Sequence, residues 1–243
     1  MKMLTFASRN AKEILRDPLN LAFGLGFPVI LLLLLSAIQA NVPVPLFEIS
    51  HLSPAISVFA LSFITLFSAT IISKDRNSAL LQRLYTTPLR PFDFIVGYTL
   101  PLLPIAILQG IVCYITAIFL GLEFSVTVIY ALLLNVTVSL FFIGLGLLCG
   151  SVFSDKQVGG ICGAVLTNLC AWLSGAWFDL ELIGGTFERI ANLLPFVHAV
   201  EMGRAILGGN FSEIFPHLWW VLSYALIAIA AAIALFLRQM NQQ

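Results

Sequence analysis

The sequence predicts an all-α integral membrane protein with six transmembrane helices and both termini in the cytoplasm. The first observation is where charge is missing: 60% of the 243 residues are hydrophobic and only 10% charged, with a mean hydropathy of +1.01, whereas a soluble domain carries about 25% charged residues. The second is that the charge-free stretches are long. Between Asp17 and Glu48, Glu48 and Lys74, Asp93 and Glu123, Glu123 and Asp155, Lys156 and Asp179, and Glu213 and Arg238 they run 30, 25, 29, 31, 22 and 24 residues. A helix needs about 20 apolar residues to cross a hydrocarbon core of about 30 Å. The third is the placement of the basic residues. Lys2, Arg9, Lys12, Arg16, Lys74, Arg76, Arg83, Arg90, Lys156 and Arg238 fall on one side of the expected membrane, and only Arg189 and Arg204 on the other. Basic residues are retained in cytoplasmic segments, which sets the orientation.

The expected spans are 19–39, 54–73, 95–120, 126–150, 159–178 and 218–237 within a single transmembrane domain covering 1–243. A soluble bundle would show amphipathic faces on most helices, and these runs are apolar all round. A barrel would interrupt them with lumen-facing polar residues. The zero net charge gives no support to nucleic-acid binding.

Residues 1–17 read as an interfacial helix. Leu4, Ala7, Ala11, Ile14 and Leu15 recur at helical spacing, with Lys2, Arg9, Lys12, Glu13 and Arg16 largely elsewhere on the wheel, so the helix suits the inner headgroup layer. A disordered basic leader is the alternative. Asp17-Pro18 ends the helix. Ile38–Ala40 resembles a weak signal-cleavage site, but the long basic start and full-length apolar stretch favour an uncleaved first span.

The segment 74–94 is expected to be a cytoplasmic coupling loop. Ala79, Leu80, Leu81 and Leu84 form a short apolar stripe flanked by charges, and Thr86-Thr87-Pro88 breaks it. A helix merely lying on the membrane is the alternative. Pro101 and Pro104 predict a kink early in the third span. Gly146/Gly150 and Gly159/Gly163 have the small-xxx-small spacing that lets helices approach closely, most simply within the chain. The outer segment 179–217 is too apolar for a solvated loop. Two short helices, about 184–193 and 196–208, broken at Pro195, would dip into the outer leaflet without crossing.

No GxxxxGK[ST], HExxH or GxSxG sequence occurs. Cys113, Cys149, Cys162 and Cys170 all fall inside expected spans and read as packing residues. His198 and Glu201, one turn apart, are a hydrogen-bonded or solvated pair rather than a metal site. Gln109, Asn135, Thr137, Ser139, Thr167 and Asn168 are the polar residues noted in the spans, and none is charged. That argues against ion-coupled transport and voltage sensing and suits an apolar or amphiphilic cargo.

This layout resembles the permease subunits of type-2 ABC exporters. The resemblance is carried by the N-terminal amphipathic helix, and by Ser78-Ala79-Leu80-Leu81-Gln82-Arg83-Leu84-Tyr85-Thr86-Thr87-Pro88-Leu89, similar to the family's cytoplasmic signature. Gly144 to Gly150 ahead of a short polar loop also carries it, as does Leu193-Leu194-Pro195-Phe196 with Arg204 following. Ser78 stands where the family often has Gly and Gln82 where it often has Glu, and its proline before the first re-entrant helix is not evident in 179–185.

The resemblance implies a permease that is not itself an ATPase. It would pair with a second permease copy, as homodimer or paralogous heterodimer, and with two cytoplasmic ABC ATPase subunits that bind ATP and Mg. No cofactor is expected in this chain. Asp75, Arg76, Leu80, Leu81, Arg83 and Leu84 would couple to the ATPase. Pro195, Phe196 and Arg204 would belong to an outer re-entrant pair, and the cargo would be a drug, antimicrobial peptide, lipid or glycolipid moved outward across the cell membrane. Two other classes remain open on the residues. One is a membrane-embedded enzyme drawing on His198, Glu201, Asp179 and Glu188, and the other a passive channel or scaffold.

Overall fold

The computed structural model describes residues 2–43, 47–78 and 91–241, and within them the secondary structure is helical, without strands. The N-terminal segment forms α1 (Lys2–Leu15), and α2 (Pro18–Gln39) follows after a two-residue break. Asp17 caps α2, its Oδ1 accepting from the Asn20 amide at 3.3 Å, with Pro18 at the first helical position where no amide is needed. The next helices are α3 (Ile49–Asn77), α4 (Pro91–Thr99), α5 (Leu102–Phe119) and α6 (Val126–Val152).

Among the described residues, five stretches are long and apolar enough to cross a membrane: Pro18–Gln39, Ile49–Asn77, Phe92–Phe119, Val126–Val152 and Phe211–Arg238. They match five of the expected spans, with corrected ends. The second runs well beyond 54–73 at both ends, so 74–77 belongs to the helix and not to a loop. The third is interrupted at Leu100 and Pro101, where an expected kink becomes a break between α4 and α5.

The expected fifth span, 159–178, begins earlier and ends earlier. It is built from α7 (Asp155–Gly160), a π-helical turn (Ile161–Leu166) and α8 (Thr167–Leu173), with helical dihedrals at both joints. The Thr167 hydroxyl donates to the Cys162 carbonyl at 2.9 Å, five residues back, within the widened turn. Gly175, at φ +70°, takes the chain out of the helix, so 174–178 is not helical. Beyond it lie α9 (Leu180–Ile183), α10 (Gly185–Leu193) and α11 (Pro195–Leu207), then α12 (Phe211–Asn241). α10 and α11 are bent by 80° at Leu194, as two short helices broken at Pro195 require.

α3 is the central helix, packed against α2, α5, α6, α7 and α11. Its composition explains this position. It is lined with small hydroxyl residues, and Ser53, Ser57, Ser62, Thr65, Ser68 and Ser73 are all buried. Small residues let neighbouring backbones approach, and their hydroxyls bond across the gap where lipid offers no partner. Thr65 donates to the Phe142 carbonyl at 3.0 Å and Ser68 to the Ile143 carbonyl at 3.2 Å, both on α6.

Gly146 and Gly150 of α6 fit against the same face. A Cβ at Gly146 would stand 2.5 Å from Ser68 Cβ, and one at Gly150 would stand 2.7 Å from the Ala69 carbonyl. The expected use of this pair inside the chain is what the structure shows. In the second glycine pair, Gly159 meets nothing within 4 Å, and a Cβ at Gly163 would stand in ordinary contact with the Leu66 side chain at 3.4 Å, so only Gly163 faces α3 and neither position requires glycine for space. All four cysteines are buried.

Candidate functional site

The ion pairs gather at the two ends of α3. At the end that carries α1, four consecutive residues of its last turns each reach a different segment. The Ser73 hydroxyl lies within hydrogen-bond distance of Asp155 Oδ1 at the start of α7, at 3.3 Å, and of the Thr70 carbonyl of its own helix, at 3.1 Å. Lys74 Nζ lies 3.9 Å from Asp17 Oδ2 at the turn between α1 and α2. Asp75 Oδ2 accepts from Arg9 Nη1 of α1 at 2.6 Å and from the Tyr98 hydroxyl of α4 at 2.9 Å. Arg76 donates through Nη2 to the Phe153 carbonyl at 2.6 Å and through Nη1 to the Ser151 carbonyl at the end of α6. Four successive side chains of a helix point in four directions about 100° apart. This turn therefore clamps everything around it immediately before the segment 79–90.

α1 is held there by packing as well as charge. Phe6 meets the rings of Phe94 and Tyr98 edge-on at 5.8 and 5.0 Å, and Gly97 leaves the room its ring occupies. Asn10, fully buried, donates to the Gly97 carbonyl at 3.0 Å and accepts from Arg9 at 2.9 Å. Burial alone would lower the pKa of the Arg9 guanidinium. The hydrogen bond and charge of Asp75 outweigh it and hold the group above its ordinary value.

The expected stripe on α1 divides. Ala7 and Ile14 are buried beside Phe6 and Asn10, Ala11 is half-buried, and Leu4 and Leu15 are exposed. Of the expected coupling residues, Leu80, Leu81, Arg83 and Leu84 lie outside the described residues. Asp75 is corrected: at 2% exposure it is no docking surface, because its carboxylate is consumed by Arg9 and Tyr98. Arg76 likewise spends its guanidinium on two backbone carbonyls of the same chain. Sequence reasoning missed Arg9, Asn10 and Tyr98 as site residues. A basic residue in a basic leader carries no local sign that it pairs with a carboxylate 66 positions away.

At the opposite end, Pro195 opens α11 and Phe196 is buried against Phe141 and Phe142 of α6, at 5.8 and 6.2 Å. Arg204 donates to Glu201 Oε1 at 2.8 Å, to the Gly175 carbonyl at 3.0 Å and to the His51 carbonyl at 3.4 Å. It thus ties α11 to the end of α8 and the start of α3. Gly203 allows the approach, since a Cβ there would stand 2.7 Å from Pro54 Cβ.

The bend at Leu194 leaves the last carbonyls of α10 without helical partners, and two side chains take them. His198 Nε2 lies 2.9 Å from the Asn192 carbonyl, and the Tyr224 hydroxyl donates to Leu193 at 2.7 Å. His198 and Glu201 do not act together: His198 turns to Asn192 and His217, and Glu201 to Arg204. A cavity of about 630 Å³ opens beside them, lined among others by His51, Asp179, Glu188, Glu201, Arg204 and His217. Among the described residues no group of three or more His, Cys, Asp and Glu is placed to hold a metal.

Comparison with known proteins gives one family. Residues 1–207 match the model of the ABC-2 type transporter. The chain is similar to the capsule polysaccharide export inner-membrane protein CtrC of Neisseria meningitidis serogroup B, at 28% identity over 63% of this chain and 58% of that one. It is similar to CtrC of serogroup A at 24% identity over 66% and 61%. It also resembles ABC transporter G family member 20 of Dictyostelium discoideum, at 29% identity over 76% of this chain and 26% of that protein. The chain thus spans less than two thirds of the length of each of these relatives.

Proposed function

The chain belongs to the ABC-2 type transporter family, and on that premise we propose that it is the membrane-spanning permease of an ATP-driven exporter. Membership makes it a multi-pass component of a membrane transport system. The further steps are our reading. ATP hydrolysis comes from a separate cytoplasmic ABC ATPase, because the sequence contains no phosphate-binding loop of the GxxxxGK[ST] form. The termini and the 79–90 segment face the cytoplasm, since ten of the twelve basic residues lie on that side. The cargo is amphiphilic or hydrophobic and moves outward; the similarity to CtrC, a capsule polysaccharide export protein, favours that direction. The expected fifth span crosses as a sixth helix, and α10 and α11 form a re-entrant pair.

The observation that carries this reading is the clamp formed by Ser73, Lys74, Asp75 and Arg76. A coupling loop does work only if its displacement moves the spans together. This turn fastens α1, α4, α6 and α7 to the root of the 79–90 segment. Force applied there reaches the central helix and, at its far end, the Arg204 cluster at His51.

A second permease copy completes the transport unit. Gly160, Ala164, Asn168 and Trp172 lie four apart along α7 to α8, and all are exposed. An exposed amide within an apolar span is costly in lipid and suited to a protein neighbour.

The test is reconstitution with the cognate ATPase. The chain alone should hydrolyse no ATP, and a protein carrying the phosphate-binding loop should co-purify with it. Leu81→Asp and Leu84→Asp should each abolish ATPase docking or export. Unchanged docking and export in both would remove the coupling assignment, and steady conductance through the chain alone would favour a channel.

A further inference from the structure

We propose that His198 of α11 and His217 of α12 form a single-proton binding site that latches the bent helix pair to the last long helix. Their Nδ1 atoms lie 2.9 Å apart. The other ring nitrogen of His198, Nε2, lies 2.9 Å from the Asn192 carbonyl. A carbonyl only accepts, so His198 carries its proton on Nε2. A neutral imidazole has one N–H, which leaves His198 Nδ1 as an acceptor. His217 must then donate from its own Nδ1, and its Nε2 keeps a lone pair. The tautomers of both rings follow from one backbone carbonyl, and the hydrogen-bonded chain runs from α12 through α11 to the last turn of α10.

One added proton fits this chain and a second does not. The first goes to His217 Nε2 and leaves the Nδ1–H bond in place, now donated by a cation and therefore stronger. The second would have to enter on His198 Nδ1, the acceptor itself. That would set N–H against N–H and place two cations 2.9 Å apart.

Carboxylates line the side from which the first proton enters. His217 lines the same cavity as Glu188 of α10, Glu201 of α11 and Glu213 of α12, with Asp179 and Glu181 across it. Among the described residues, the cations facing it are few: Arg204 is held by Glu201, and His51 at the start of α3 is the remaining titratable base on the cavity wall. On the other side, the Trp220 ring stacks on His198 at 5.0 Å and 11°, a face that tolerates positive charge nearby. The first proton therefore binds at the cavity wall and tightens the contact between α11 and α12 as pH falls, and a second proton breaks it. The site stands whether or not the chain exports cargo.

The test uses the full chain in lipid nanodiscs with nitrogen-15 labelled histidine. The sequence has three histidines, and His51→Gln leaves only the pair. Above neutral pH, His198 should show the Nε2–H form and His217 the Nδ1–H form. Protonation should proceed in two steps separated by more than about one pH unit. In His198→Gln, His217 should titrate in a single step, because the coupling partner is gone. The same Nε2–H form on both rings, or one shared midpoint for both in the otherwise unaltered chain, would overturn the proposal. The tautomers are read without touching either residue of the pair, so a poorly folding His198→Gln does not remove the test.

Discussion

Arg9 places Nη1 2.6 Å from Oδ2 of Asp75 across 66 positions of sequence, and the pair joins the first helix to the last turns of the central one. The two ends of the contact are unequal. Asp75 is 2% exposed and the Arg9 side chain 37%, so the carboxylate depends on the guanidinium more than the reverse. An ion pair with one buried member contributes through what its loss leaves behind.

Arg9→Met should therefore be the more damaging single change. It leaves Asp75 buried with Tyr98 as remaining donor and should cost about 2 kcal/mol. Asp75→Asn should cost less, because an amide oxygen still accepts from both partners. The double variant should be more stable than the sum of the singles implies, by about 1 kcal/mol or more. Thermal unfolding of the four proteins in one detergent measures the coupling, and simple additivity would show that the two residues do not depend on each other.

The contact of α3 with α6 predicts a contrast between glycines. Gly146→Ala would drive a methyl to 2.5 Å from Ser68 Cβ and 2.6 Å from the Thr65 carbonyl. Neither can retreat without moving a helix, so a loss of about 1–3 kcal/mol is expected. Gly159→Ala meets nothing within 4 Å and should be neutral or stabilising by up to about 1 kcal/mol, since alanine is the better helix former. The yield of monodisperse protein on heating separates the two outcomes.

These two cases show what was legible in the sequence and what was not. Charge gaps and proline positions are local signals, and they located five of the six expected spans, the break near Pro101 and the bend at Pro195. The spacing of Gly146 and Gly150 announced a close approach but not its partner, because small-residue spacing carries no address. The π-helical turn at Ile161–Leu166 has no periodic signature, and the early end of the fifth expected span depended on the backbone of Gly175. Asp75 read as a surface charge because it stands among Lys74 and Arg76. Its burial is set by Arg9 and Tyr98, which only the packed chain brings to it.

Gln109 supplies a further test. Pro28 interrupts α2 and has no amide, so the carbonyl four residues earlier, Gly24, loses its helical donor. Gln109 Nε2 replaces it at 2.7 Å and also reaches the Ala60 carbonyl at 2.9 Å. Gln109→Leu should thus cost about 1–2 kcal/mol. Pro28→Ala restores an amide for Gly24 and should recover part of that loss in the double variant. Thermal stability of the single and double variants decides it: if Pro28→Ala worsens Gln109→Leu, the carbonyl of Gly24 is not what the glutamine serves.

The exposed row Gly160, Ala164, Asn168 and Trp172 yields a prediction about assembly. The Asn168 amide donates to the Ala164 carbonyl at 2.8 Å, which satisfies one of its two N–H groups and leaves the rest of the amide facing outward. In a symmetric pair, residues near the two-fold axis meet their own copies. Small side chains at 160 and 164 would bring those backbones within the Cα separation of about 4.4–6.8 Å that a disulfide requires. Ala164→Cys should then give a covalent dimer on mild oxidation of membranes. Ile115→Cys, on the exposed face of α5, should remain monomeric. The native cysteines are buried and should contribute little background. Equal cross-linking at both positions would reflect random collision, and a monomer at position 164 would move the second copy to another face of the chain.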